Sequence, residues 1–92
     1  MSCYVYVIGT LERRAQSTKR VCRTYVGWTN NIDARLAAHN AGVGARATRG
    51  RKWKLLYAES YQSKSDAMSR EWHLKRNRKL RRDIASVMTP GE

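Results

Sequence analysis

Acidic residues are scarce in this sequence: seven Asp and Glu stand against nineteen Lys and Arg, a formal net charge of +12. Such an imbalance costs self-repulsion unless a polyanion lies against part of the surface, which makes nucleic acid the leading partner. Cysteine is nearly absent. Cys3 and Cys22 are too few for a disulfide framework and are not spaced as a metal site, which predicts two buried, reduced thiols. Proline occurs once, as Pro90 in an expected frayed tail, so no proline-rich linker divides the chain. Long hydrophobic runs are missing too. The apolar stretch from Tyr4 to Gly9 is too short for a signal segment or a membrane span, and Glu12 follows soon after. Nor is there a helix with the broad apolar face and basic flanks that a membrane surface would favour. These absences predict a cytoplasmic protein, nucleoid-associated in a bacterium, with no membrane partner.

What is present suffices for a small folded unit. Ninety-two residues, 41% hydrophobic and 28% charged, predict one domain over residues 1–92, with a core at about 3–75 and a C-terminal helix at about 77–87. Residues 3 to 9 and much of 21 to 28 are β-branched and aromatic, which predicts two antiparallel strands joined by a loop from Thr10 to Arg20. Thr29, Asn30 and Asn31 supply N-cap candidates, and Ile32, Leu36 and Ala37 recur at helical spacing up to Asn40 and Gly42. The first helix is therefore expected at about 31–40. An exposed basic loop from Gly44 to Lys52 leads to a third strand at 53–59. Ser63, with Asp66 three residues on, opens a second helix from Lys64 to about Lys75. Leu80, Ile84 and Val87 stripe a third helix. The order β-β-α-β-α-α predicts an α+β fold in which helices flank a small three-stranded antiparallel sheet.

Several residues carry chemistry. Arg35 and His39, four apart on the first helix, project from one face. The first suits charge on a phosphoryl oxygen, the second a proton near neutral pH. A solvated Arg and a His complementing the helix C-terminus is the plainer account. Tyr6 and Tyr25 lie on the two paired strands, and packing alone would explain them. Glu71 shares a helix face with Ala67; it is either a ligand for a hard cation or the ion-pair partner of Lys75. Two basic clusters, Arg46, Arg49, Arg51, Lys52 and Lys54, then Lys75, Arg76, Arg78, Lys79, Arg81 and Arg82, are expected to grip phosphates. Arg outnumbers Lys thirteen to six, and its planar fork matches phosphate oxygens. Trp53 and Trp72 are expected in the core.

The order Tyr4-Val5-Tyr6, Tyr25-Val26-Gly27, Thr29-Asn30, Arg35, His39-Asn40 and Glu71 resembles the GIY-YIG nuclease family over roughly residues 3 to 75. The nearest likeness is to its small single-domain members and to the catalytic domain of structure-specific repair nucleases. Tyr4 stands where the family's first motif opens on glycine, while the closing tyrosine is present as Tyr6. The resemblance implies a phosphodiester-cleaving endonuclease whose Glu71 holds one Mg2+ or Mn2+ ion, with Arg35 as a second positive group. It implies Tyr6 as general base with Tyr25 orienting the attacking water; His39 as the base, with Tyr6 positioning it, is the other assignment. DNA, or RNA in its place, is the implied substrate. With two cysteines and ninety-two residues, no further recognition domain or zinc module is expected, so specificity is expected to be low, or supplied by a protein partner or a second copy. A nucleic-acid-binding module of the same fold without catalysis is the alternative.

Overall fold

Alternating β-branched and aromatic residues place the first strand, β1 (Cys3–Arg13), in the centre of the sheet, between β2 (Arg20–Thr29) and β3 (Lys54–Tyr61). The computed structural model describes residues 2–13 and 20–88. All pairings are antiparallel, in the order β2-β1-β3. The helices are α1 (Ile32–Asn40), α2 (Lys64–Arg76) and α3 (Arg78–Ala85), with single 3-10 turns at Arg46–Thr48 and Ser86–Met88. This is the expected α+β architecture.

The two-residue period of β1 divides the interior. Val5 and Val7 are fully buried on one face with Val26, Ala67 and Leu74, and Leu80 and Ile84 pack against them, so α2 and α3 cover that side. Tyr6 and Ile8 lie on the other face with Trp53, and Tyr25 and Leu36 close over them from β2 and α1. The tyrosine pair and α1 therefore share a face because the strand alternates.

Local chemistry fixes the helix ends. The Asn31 side chain accepts from the Ala34 amide at 3.1 Å, and Ser63 and Asn77 cap α2 and α3 in the same way. At the far end of α1, Gly42 takes a positive φ of 80°. The amides of Gly42 and Val43 then donate back to the carbonyls of His39 and Ala38, at 3.2 and 3.1 Å. The chain thus reverses directly after His39 and returns across it.

Some expectations are corrected. The ladder runs on through Thr10↔Arg23 to Arg13↔Arg20, because backbone pairing needs no apolar side chains. Residues 14–19 of the expected loop lie outside the described residues, as does Pro90. The basic stretch at 44–52 is not wholly exposed, since it contains the fully buried Thr48. Val87 is 65% exposed; α3 gives way to the 3-10 turn before it, which breaks the apolar stripe. The two free cysteines are half-buried at strand positions rather than buried; Cys3 pairs across from Tyr61 and Cys22 from Leu11, so they lie far apart along the ladder, on the order of 25 Å.

A polar knot docks α2 on β3. Glu59 accepts two charge-assisted bonds from Arg70, at 2.8 and 3.0 Å, together with the hydroxyl protons of Tyr57 and Tyr61. Arg70, first, with the two tyrosines, pulls the Glu59 carboxyl from 4.5 down to about 2. Ionised Glu59 therefore stabilises the fold above pH 4.5, and the contribution is lost as pH falls towards 2. Linkage assigns such a shift about 3 kcal/mol, which screening of a partly exposed pair reduces to about 2. Glu59→Gln should lower stability by about that much at pH 7 in urea denaturation, with the gap to wild type closing below pH 4. An unchanged gap at pH 2.5 would remove this role from the carboxylate.

Candidate active site

Four of the five expected chemical residues converge on the α1 face of the sheet. Gly27 lies directly across from Tyr6, and a Cβ there would sit 2.5 Å from the Tyr6 hydroxyl oxygen and 2.7 Å from Cζ. The glycine of Tyr25-Val26-Gly27 thus makes room for the phenol ring. Freed from that clash, the Tyr6 hydroxyl reaches Nε2 of His39 at 2.8 Å, in the interior. The Tyr25 ring lies 5.1 Å from the imidazole, centroid to centroid. The Arg35 guanidinium, half-buried one helical turn before His39, lies close enough to interact with the hydroxyls of Tyr6 and Tyr25.

The electrostatics follow from burial. Tyr6 is 2% exposed. That burial raises its pKa above 10, and Arg35 pulls the other way. The same loss of solvent, with Arg35 nearby, pushes His39 below its ordinary 6.5, so the ring is neutral at pH 7. A phenol reluctant to ionise is therefore bonded to a neutral imidazole.

Around His39 the structure adds Thr48 and Gly44, which had no role assigned from the sequence, to the Asn40 and Trp53 already marked there. Its Nδ1 lies 2.7 Å from Thr48 Oγ1, and Thr48 and His39 are both fully buried. Trp53 Nε1 donates to the Thr48 carbonyl at 2.8 Å. Asn40 clasps the Trp53 backbone, accepting from its amide at 2.6 Å and donating to its carbonyl at 3.1 Å. Gly44 passes so close that a Cβ would fall 2.6 Å from His39 Nδ1. No periodicity singles out Thr48 or Gly44 among the arginines around them.

Glu71 comes from α2 on the far face. It is half-buried below the fully buried Ala67 and lies within Coulombic reach of Tyr6. Its one ion pair among the described residues is with Lys75, at 3.9 Å. No group of three or more His, Cys, Asp or Glu side chains gathers among the described residues. A protein cage for calcium or zinc is therefore absent there, whereas one carboxylate suits a magnesium-like ion that keeps its waters and takes a phosphate oxygen.

Of the basic residues, Arg46, Arg49, Lys52, Lys54, Lys75, Arg78, Lys79 and Arg82 are exposed. Arg51 and Arg81 are half-buried, and Arg81 Nε is sheltered without a hydrogen-bond partner. Arg76 is exposed but lies 3.7 Å over the ring of Trp72. Trp53 is in the core at 5% exposure, as expected; Trp72 is not, at 51%. It projects from α2 beside Glu71, away from the Ala67 and Leu74 stripe that faces the sheet. No helix among the described residues is long and apolar enough to cross a membrane.

A family model for the GIY-YIG catalytic domain matches residues 2–83. The chain belongs to the GIY-YIG family, and so to a nuclease superfamily. Within it, the chain is similar to UPF0213 proteins. One from Clostridium perfringens is 52% identical over 60 residues, covering 61% of this chain and 64% of that one. One from Staphylococcus haemolyticus is 50% identical over 52 residues, covering 55% and 63%. The matches thus span less than two thirds of either relative. One from Natronomonas pharaonis is 40% identical over 73 residues, covering 78% of this chain and 75% of its own. The solution NMR structure of the UPF0213 protein from Bacillus halodurans is 30% identical, with a TM-score of 0.43, covering 99% of this chain and 88% of that one.

Proposed function

We propose that the chain is a metal-dependent endonuclease that hydrolyses phosphodiester bonds in DNA, with low intrinsic sequence specificity and selectivity for DNA structure of the repair or recombination type. The observation that carries this reading is the buried bond between Tyr6 and His39, with Arg35 and Tyr25 beside the same hydroxyl. A buried structural tyrosine needs one hydrogen-bond partner, and a histidine, a guanidinium and a second phenol gathered about one hydroxyl exceed that need.

Both nitrogens of His39 are engaged, Nε2 with Tyr6 and Nδ1 with Thr48. It therefore reaches a substrate only through the Tyr6 oxygen. Tyr6 takes the proton of the attacking water as its own proton passes to His39, so no free phenolate need form at neutral pH. Tyr25 orients the water, and Arg35 holds negative charge on the phosphoryl oxygen. Glu71 would hold one Mg2+ or Mn2+ ion, which supplies Lewis-acid stabilisation of the phosphate and the leaving oxygen when bound. The exposed arginines and lysines hold the backbone without reading bases.

The test is cleavage of labelled single-stranded, duplex, flap and branched DNA in Mg2+ or Mn2+, with chelator as the control. Cutting that chelator abolishes is the expected result. Tight binding with no cutting under any condition would establish the binding-module reading instead. On the same panel, affinity should fall by about a thousandfold between 50 and 200 mM salt if six or more phosphates are neutralised. The double variant Arg46→Gln with Arg49→Gln should flatten the logarithmic salt slope by roughly two. A slope that stays put would remove those two residues from the interface.

A further inference from the structure

We propose that Thr48 is a positioning residue that holds His39 as the Nδ1-protonated tautomer and so leaves Nε2 open to receive the Tyr6 proton. The inference rests on the relay proposed above and identifies what gives it direction.

The argument is a count of protons along one buried chain. Thr48 Oγ1 lies 2.8 Å from the Ala45 carbonyl oxygen. Two oxygens that close need a proton between them, and a carbonyl has none to give, so the threonine hydroxyl donates there. With its single proton spent, Oγ1 can only accept from His39 Nδ1, 2.7 Å away. Nδ1 therefore carries the hydrogen. A neutral imidazole then has a bare Nε2, which must accept, and the group 2.8 Å from it is the Tyr6 hydroxyl. The other end agrees. Arg35, which has donors and no acceptor, interacts with the Tyr6 oxygen and cannot take the phenolic proton, so that proton is left to point at Nε2.

The sequence builds this orientation locally. The 3-10 turn at Arg46–Thr48 places the Thr48 side chain over the Ala45 carbonyl, and the Thr48 amide donates to the same oxygen at 3.1 Å. Trp53 fixes the other side of the residue by donating to its carbonyl. Gly44 lets the loop close on the ring, since a Cβ there would meet Nδ1. Full burial of both His39 and Thr48 keeps water from offering Nδ1 another partner. Without the hydroxyl the ring would be free to turn to the Nε2-protonated tautomer, whose hydrogen would face the Tyr6 proton.

The tautomer is readable without any activity. Nitrogen-15 NMR of the wild-type side chains, with the exposed His73 as an internal reference, should show a protonated Nδ1 and a pyridine-type Nε2 at His39. Thr48→Val keeps the branched shape and removes the hydroxyl. It should yield mixed tautomers and a kcat about 10- to 100-fold lower at unchanged KM, and Thr48→Ser should restore both. A wild-type His39 protonated on Nε2 would overturn the proposal outright. So would a folded Thr48→Val protein with the wild-type tautomer and kcat. Should wild-type protein cleave nothing, the nuclease reading fails while the nitrogen spectrum still decides the role of Thr48.

Discussion

Glu71→Ala should abolish metal-dependent cleavage, by about a thousandfold or more, while leaving DNA binding at wild-type strength or slightly tighter. The asymmetry follows from charge. The +12 chain loses one of its seven acidic residues, so attraction to phosphate rises if it changes at all. The fold should scarcely notice. The Lys75 contact is long at 3.9 Å and its ammonium is exposed, and solvent-screened pairs of this kind contribute about 0–1 kcal/mol. Chemistry, by contrast, loses a carboxylate that lies within Coulombic reach of Tyr6. The check is single-turnover cleavage across a Mg2+ and Mn2+ titration, beside binding measured in chelator. Wild-type cleavage by the variant would sink the metal assignment, and parallel loss of binding and cutting would make Glu71 a structural residue instead.

The parts of this molecule legible in the sequence are those governed by period and by end signals. The β-branched and aromatic run at 3–9 forecast the first strand and its antiparallel pairing with the second. Its central place between β2 and β3, with Val5 and Val7 on one face and Tyr6 on the other, follows only once β3 is paired to its free edge. Asn31, Ser63 and Gly42 sit at helix ends for reasons of backbone hydrogen bonding that one residue type announces. Arg35 and His39 came as a pair because four residues make one helical turn. The parts that stayed hidden depend on contacts between segments. Thr48 lies among arginines and reads as loop, yet it is fully buried because Gly42 turns the chain back over His39. Trp72 looks like core by composition, but its angle on α2 turns it away from the Ala67 stripe and leaves half of it in solvent. The Glu59 knot escaped for the same reason: Arg70 is eleven residues away, and only the docking of α2 on β3 joins them.

That dependence on close approach makes Gly27 the sharper test of the catalytic arrangement. Gly27→Ala should lower kcat by about a hundredfold or more without removing any group proposed to take part in the chemistry. The added methyl would lie 2.5 Å from the Tyr6 oxygen, well inside van der Waals contact, so something must move by the better part of an ångström. The β2 backbone is held by its ladder to β1, and the Tyr6 ring is wedged among Ile8, Trp53, Tyr25 and Leu36. The hydroxyl is the end that yields, and a displacement of that size breaks its 2.8 Å bond to His39. Overpacking of this kind costs about 1–3 kcal/mol of stability, enough to see in thermal denaturation while most of the protein stays folded. The control is a double-mutant cycle with Tyr6→Phe, which removes the hydroxyl that the methyl displaces. If Gly27→Ala acts through Tyr6, the double variant should cleave no more slowly than Tyr6→Phe alone, whereas independent defects would multiply. Multiplying defects would mean that Gly27 shapes the site by another route, and undiminished cleavage in Gly27→Ala would show that the Tyr6–His39 bond is not part of the reaction.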